Sequence, residues 1–87
     1  MLKIERKTNG DVVLRLSGRL GADNVEELSA ALAAEPAGQI LVLDLEDVVL
    51  VDREAIRFLR GREGDGVALR NCPPYIREWI AREEKQP

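Results

Sequence analysis

The sequence predicts one α/β domain over residues 1–87, a four-stranded mixed sheet with three helices in the order β-β-α-β-α-β-α. Three observations carry that prediction. The chain opens on two alternating strand patterns joined by Asn9-Gly10. Helix-like and strand-like patterns then alternate, which is how parallel strands are connected. Finally, Ile40-Leu41-Val42-Leu43-Asp44-Leu45 is nearly all apolar. A central strand covered on both faces needs that pattern.

Each element has its own reason. Residues 2–6 alternate Leu-Lys-Ile-Glu-Arg, a half-buried strand at an edge. Asn9-Gly10 is a hairpin turn, because both residues tolerate positive φ. Residues 11–17 return as the second strand, with Val12, Leu14 and Leu16 on one face. Gly18 and Gly21 bracket a loop. Asp23-Asn24-Val25-Glu26 reads as a helix start, Asp23 capping and Glu26 reaching back. Val25, Leu28 and Leu32 form that helix's buried stripe, and it ends near Ala34, before Pro36-Ala37-Gly38. Residues 40–45 are the central strand, and 48–51 a second short apolar run.

Asp52 reads as the cap of a second, short helix with Ile56 and Leu59 inward, ended by the loop glycines Gly61, Gly64 and Gly66. Residues 67–70 form the fourth strand. Asn71-Cys72-Pro73-Pro74 starts the last helix, where proline costs no hydrogen bond. Ile76, Trp79 and Ile80 are its apolar stripe, and Glu78 with Arg82 an i, i+4 pair. Residues 83–87 read as a frayed polar tail.

Composition excludes several functions. There is no histidine, so the commonest general base and metal ligand is missing. A single cysteine, Cys72, allows no internal disulfide and no paired-cysteine metal site. The formal net charge of −3 opposes a general role on nucleic acid. Aromatics are Phe58, Tyr75 and Trp79 alone, too few for a base-stacking platform. The charged, alternating start is not a signal peptide, and no apolar run approaches membrane-span length. The expectation is a cytoplasmic protein without a cofactor.

Four groupings remain as candidates for chemistry. Asp44, Glu46, Asp47 and Asp52 lie near strand ends, where carboxylates can hold a cation, but capping and a solvated rim explain them better. Gly61 to Gly66 is glycine-rich but precedes a strand, the wrong context for a phosphate cradle. Arg53, Arg57 and Arg60 sit at i, i+4, i+7 on one helix face. They read either as an anion or nucleotide site, or as a polar face paired with Glu54 and Glu63. Cys72, at a helix start, lacks a histidine to activate it and reads as a small capping or buried residue in preference to a reactive thiol. No nucleophile is assembled with a base.

Four stretches together resemble the STAS domain, the fold of bacterial anti-sigma factor antagonists. Residues 12–20, Val-Val-Leu-Arg-Leu-Ser-Gly-Arg-Leu, look like its second strand and turn. Glu26-Glu27-Leu28 falls in its first helix. Residues 40–52 look like its central strand and the approach to the second helix, and residues 66–76 like its last strand and final helix. The resemblance implies a non-enzymatic module for partner switching and transcription regulation. It implies a partner such as an anti-sigma factor with kinase activity, or a transporter ATPase on which the domain docks as a small subunit. A weak homodimer is also compatible with it.

In signalling members a serine or threonine directly follows the aspartate matched by Asp52, and a partner kinase phosphorylates it. Here the stretch reads Asp52-Arg53-Glu54-Ala55, so Arg53 stands at the acceptor position. Thr8, Ser17 and Ser29 are the chain's only such hydroxyls, and none is near it in sequence. Gly21 likewise replaces an aspartate common after the second strand. The expected partner-binding face is Asp23, Asn24, Asp52, Arg53, Glu54 and Arg57.

Overall fold

A computed structural model of the chain describes residues 2–84. Strand β1 (Leu2–Asn9) and strand β2 (Asp11–Leu20) form an antiparallel hairpin. The chain reverses at Gly10, whose φ of +85° is open to glycine at no steric cost. Helix α1 (Ala22–Ala33) leads to strand β3 (Leu41–Val51), which lies parallel to β2. Helix α2 (Arg53–Gly64) leads to the short strand β4 (Ala68–Arg70), parallel to β3, and helix α3 (Pro74–Glu84) follows. The sheet order is β1-β2-β3-β4. Fold class and element order match the expectation.

Several boundaries differ from it, each for a physical reason. β2 does not stop at Ser17. It runs through Gly18, at φ +97°, so that glycine serves a strand irregularity and not a loop. The two apolar runs 40–45 and 48–51 belong to one strand. From Asp44 to Asp47 β3 advances three residues while β2 advances two, from Arg15 to Ser17. Between Val48 and Leu50 it again advances two against one, from Gly18 to Arg19. Such bulges absorb extra residues without ending the pairing. The second helix is not short. It spans 12 residues, as α1 does, with Gly61 and Gly64 inside it. Glu83 and Glu84 belong to α3 and not to a frayed tail, and residues 85–87 lie outside the described residues.

One aliphatic core joins all three helices to one face of the sheet. Val12, Leu14 and Leu16 of β2 and Leu43 and Leu45 of β3 meet Leu28 and Leu32 of α1, Ile56 and Leu59 of α2, and Ile76 and Ile80 of α3. Trp79 and Phe58 pack at its margin. The opposite sheet face carries the alternate residues, among them Val13, Arg15, Val42 and Asp44. Val42 is buried there without joining the core, beside Val13 and Ala68 on the neighbouring strands. The expectation of a strand covered on both faces is corrected: the core covers one face of β3, Val42 on the other is buried only among its strand neighbours, and Ile40 lies outside β3 and is 59% exposed.

Candidate functional site

β2 and β3 end side by side, Leu20 opposite Val51. The next residues, Gly21 and Asp52, therefore leave adjacent strands together, and each precedes a helix. Asp52 is extended (φ −116°, ψ 179°) and its Oδ1 accepts from the Ala55 N–H at 2.9 Å, the expected cap of α2. Its Oδ2 accepts from the Ala22 N–H, at the start of α1, at 2.8 Å. One carboxylate thus satisfies orphan donors of two helices. Those bonds, from Ala55 first and Ala22 next, hold the Asp52 carboxyl below its ordinary pKa.

The start of α1 differs from the sequence expectation. Its cap is Gly21, not Asp23. The Gly21 N–H donates to Asn24 Oδ1 at 3.1 Å, and the Asn24 N–H to the Gly21 carbonyl at 2.9 Å. A Cβ on Gly21 would lie 3.1 Å from both Asp52 Oδ2 and Asp23 Oδ1. The missing side chain makes room for Asp52 to reach across. Asp23, Asn24 and Asp52 are thus brought together.

Arg53 opens α2, and Glu54 lies beside it in the first turn. The Arg53 Nε donates to Glu83 Oε1 at 2.9 Å. Arg57 Nε stands 3.7 Å from Glu83 Oε2, and Arg57 Nη1 3.7 Å from Glu54 Oε1. The Glu83 side chain is only 8% exposed. Burial pushes its pKa up. The hydrogen bond and charge of Arg53, the charge of Arg57 and a bond to Trp79 outweigh that and leave it lowered. Arg53, Trp79, Arg82 and Glu83 line a groove of about 410 Å³ between α2 and α3.

The arginine stripe is therefore divided. Arg53 and Arg57 converge on Glu83, while Arg60 lies further along α2 against Gly61, Glu63 and Gly64. Arg57 does pair with Glu54. Glu63 instead takes both Arg77 guanidinium nitrogens, at 2.9 Å each. Among the described residues Glu78 and Arg82 form no ion pair, and Arg82 turns to the groove.

The strand-end carboxylates are likewise dispersed. Asp47 takes Arg15 Nη2 at 2.7 Å, and Asp44 and Glu46 share the Asn71 amide at 3.2 and 3.3 Å. Among the described residues no group of three or more acidic, cysteine or histidine side chains is placed to hold a metal ion. Cys72 is half-buried, and burial raises its thiol pKa. No helix among them is long and apolar enough to cross a membrane.

Two features were not read from the sequence. Val49 and Leu50, just before Asp52, are 72% and 51% exposed. Val49 is the extra residue of the second bulge, which explains its exposure. A run of four apolar residues against a shorter stretch of β2 was the available signal. Glu83 and Trp79 were missed because nothing local links them to Arg53.

Against this geometry, the STAS_2 family model, described as Mlab, STAS domain, matches residues 5–82. The chain belongs to the STAS domain family. Among solved structures, the crystal structure of a protein named Mglu superposes with a TM-score of 0.62 at 26% identity, over 83% of this chain and 19% of that one. This STAS domain thus spans about a fifth of that protein's length. An uncharacterised DUF3478-family protein with a SpoIIAA-like fold, from Shewanella loihica PV-4, superposes at 0.54 with 18% identity, over 98% of this chain and 76% of that one. Among curated proteins none matches. The STAS fold is typically that of a regulatory, non-enzymatic interaction module.

Proposed function

We propose that this STAS domain docks constitutively on a protein partner, as a permanent subunit of a larger assembly and not as a phosphorylation-switched one. The docking face is the joined start of α1 and α2: Asp23, Asn24, Asp52, Arg53, Glu54 and Arg57, with Val49 and Leu50 beside it. The observation that carries the reading is Arg53, at the position the family uses as phosphoacceptor, bound through Nε to the buried Glu83. A phosphoserine would bring about −1.5 to −2 charges, whereas arginine brings +1 and no hydroxyl. Thr8 lies in β1, Ser17 in β2, and the Ser29 hydroxyl of α1 accepts from Arg62. None stands in for it at the start of α2. The exposed apolar pair supplies burial for docking that does not depend on a switched charge. A transporter ATPase fits such a partner better than a switching kinase.

The test is a photo-crosslinking amino acid placed at Glu54 and, separately, at Lys7 on the outer strand, in the source cell. The expected result is one adduct of defined mass from position 54 only, formed equally when a lysate is treated with phosphatase before irradiation. Equal adducts from both positions would reject the face. Loss of the adduct when the lysate is treated with phosphatase before irradiation would reject constitutive docking.

A further inference from the structure

We propose that the groove between α2 and α3 receives an acidic side chain, Asp or Glu, of that protein partner. The proposal rests on the docking reading above and specifies the chemistry that the partner must present.

The argument begins with Glu83. Its ionised carboxylate forms the floor of the groove and is held by Arg53, Arg57 and Trp79. Arg53 and Arg82 set against Glu83 leave the groove lining at +1, in a chain whose formal net charge is −3, while Arg57 is shared between Glu83 and Glu54. Arg82 carries the surplus. Among the described residues it makes no ion pair, although Glu78 lies one turn earlier, and it lines the groove with Arg53. A guanidinium presents two parallel N–H groups matched to a carboxylate. The Trp79 indole, half-buried against the core, walls the groove and removes water from one side of the contact. Lower local dielectric strengthens the attraction.

The occupant follows from shape and charge. The groove is open along one side, and small-ligand sites enclose about 70–90% of their ligand. A polyphosphate would also bring several charges against the Glu83 carboxylate, whereas a single carboxylate faces a net surplus of positive charge. Arg53 belongs to both the groove and the docking face, so an acidic residue on the partner reaches the groove from the same interface.

Trp79 is the chain's only tryptophan, so its fluorescence reports on this groove. The folded chain is titrated with a terminally blocked hexaglutamate peptide, a hexalysine peptide, ATP and inorganic phosphate. The expected result is a saturable change with hexaglutamate, weakened by salt, and none with hexalysine. Arg82→Glu weakens it about tenfold, the scale of one charge-assisted contact. Arg70→Glu, an exposed arginine on β4, leaves it unchanged, and circular dichroism confirms that both variants fold. Absence of a saturable hexaglutamate response overturns the proposal. So does tighter binding of ATP or phosphate, which would mark a small-anion site, or an equal loss in Arg70→Glu. A Glu54 adduct with an unresponsive Trp79 rejects the groove alone. A responsive Trp79 without the adduct rejects the docking face alone.

Discussion

Removing the Asp52 carboxylate should loosen two helices at once. In Asp52→Ala, α2 loses the cap on the Ala55 N–H, worth about 1 kcal/mol in comparable caps. The start of α1 loses the bond to the Ala22 N–H, at 2.8 Å, worth about another 1 kcal/mol for a solvent-accessible bond. The sum is about 2 kcal/mol, or about 10 °C in melting temperature for a domain of this size. Asp52→Asn keeps one acceptor oxygen and should lose about half as much. Urea unfolding followed by Trp79 fluorescence and far-ultraviolet circular dichroism measures both, with an unchanged m-value showing that the unfolded state is not responsible. The pH dependence has a definite sign. The folded pKa of Asp52 is depressed, so its contribution is fully present above the unfolded pKa of about 3.9 and is lost as pH falls through the folded value. The gap between wild type and Asp52→Ala should narrow below about pH 4. A cost under about 0.5 kcal/mol at neutral pH, or full stability in Asp52→Asn, would refute the double cap.

Two glycines should respond in opposite directions to alanine. At Gly61, inside α2 with nothing within 4 Å of a new Cβ, alanine should stabilise by about 0.5–1 kcal/mol. At Gly21 the new Cβ meets Asp52 Oδ2 at 3.1 Å, and Asp52 cannot retreat without stretching its bond to Ala22. Gly21→Ala should therefore destabilise although its φ of −126° suits alanine, and a melting temperature at or above wild type would contradict the packing described. Because burial raises the Cys72 pKa, its alkylation by iodoacetamide at pH 8 should be slower than that of a free thiol, reaching the free rate only in denaturant. A native rate faster than the free thiol would show an activated cysteine.

Features set by neighbours in sequence were legible, and those set across the fold were not. The Asn9-Gly10 turn and the Asp52 cap on α2 each depend on a few adjacent residues, and both stand where expected. Asp23 looked like the cap of α1 because aspartate favours that position. The carboxylate that reaches the start of α1 is Asp52, 30 residues away, and that leaves Gly21 as the cap. Gly18 looked like a loop because glycine breaks patterns, and only pairing with β3 shows it inside a strand. Glu83 looked like solvent-facing tail, since its partners Arg53 and Arg57 lie on another helix. The proposed face of Asp23, Asn24, Asp52, Arg53, Glu54 and Arg57 was assigned from sequence position. The apolar pair Val49 and Leu50 was not, because its exposure depends on a bulge created by unequal strand lengths.

The hairpin has a consequence for how the chain is made. β1 and β2 pair locally, across one turn, and hairpins form within about 1–10 μs. Every other strand pairing is parallel and waits for an intervening helix to be synthesised and closed. Within this domain the hairpin is made before β3 and the helices, so Val12, Leu14 and Leu16 face water until those elements arrive to cover them. Its outer strand offers a newcomer Lys3, Glu5, Arg6 and Lys7, charges that discourage a second nascent chain from adding to the edge. The charges of β1 thus protect the sheet edge of this domain before its other strands are in place.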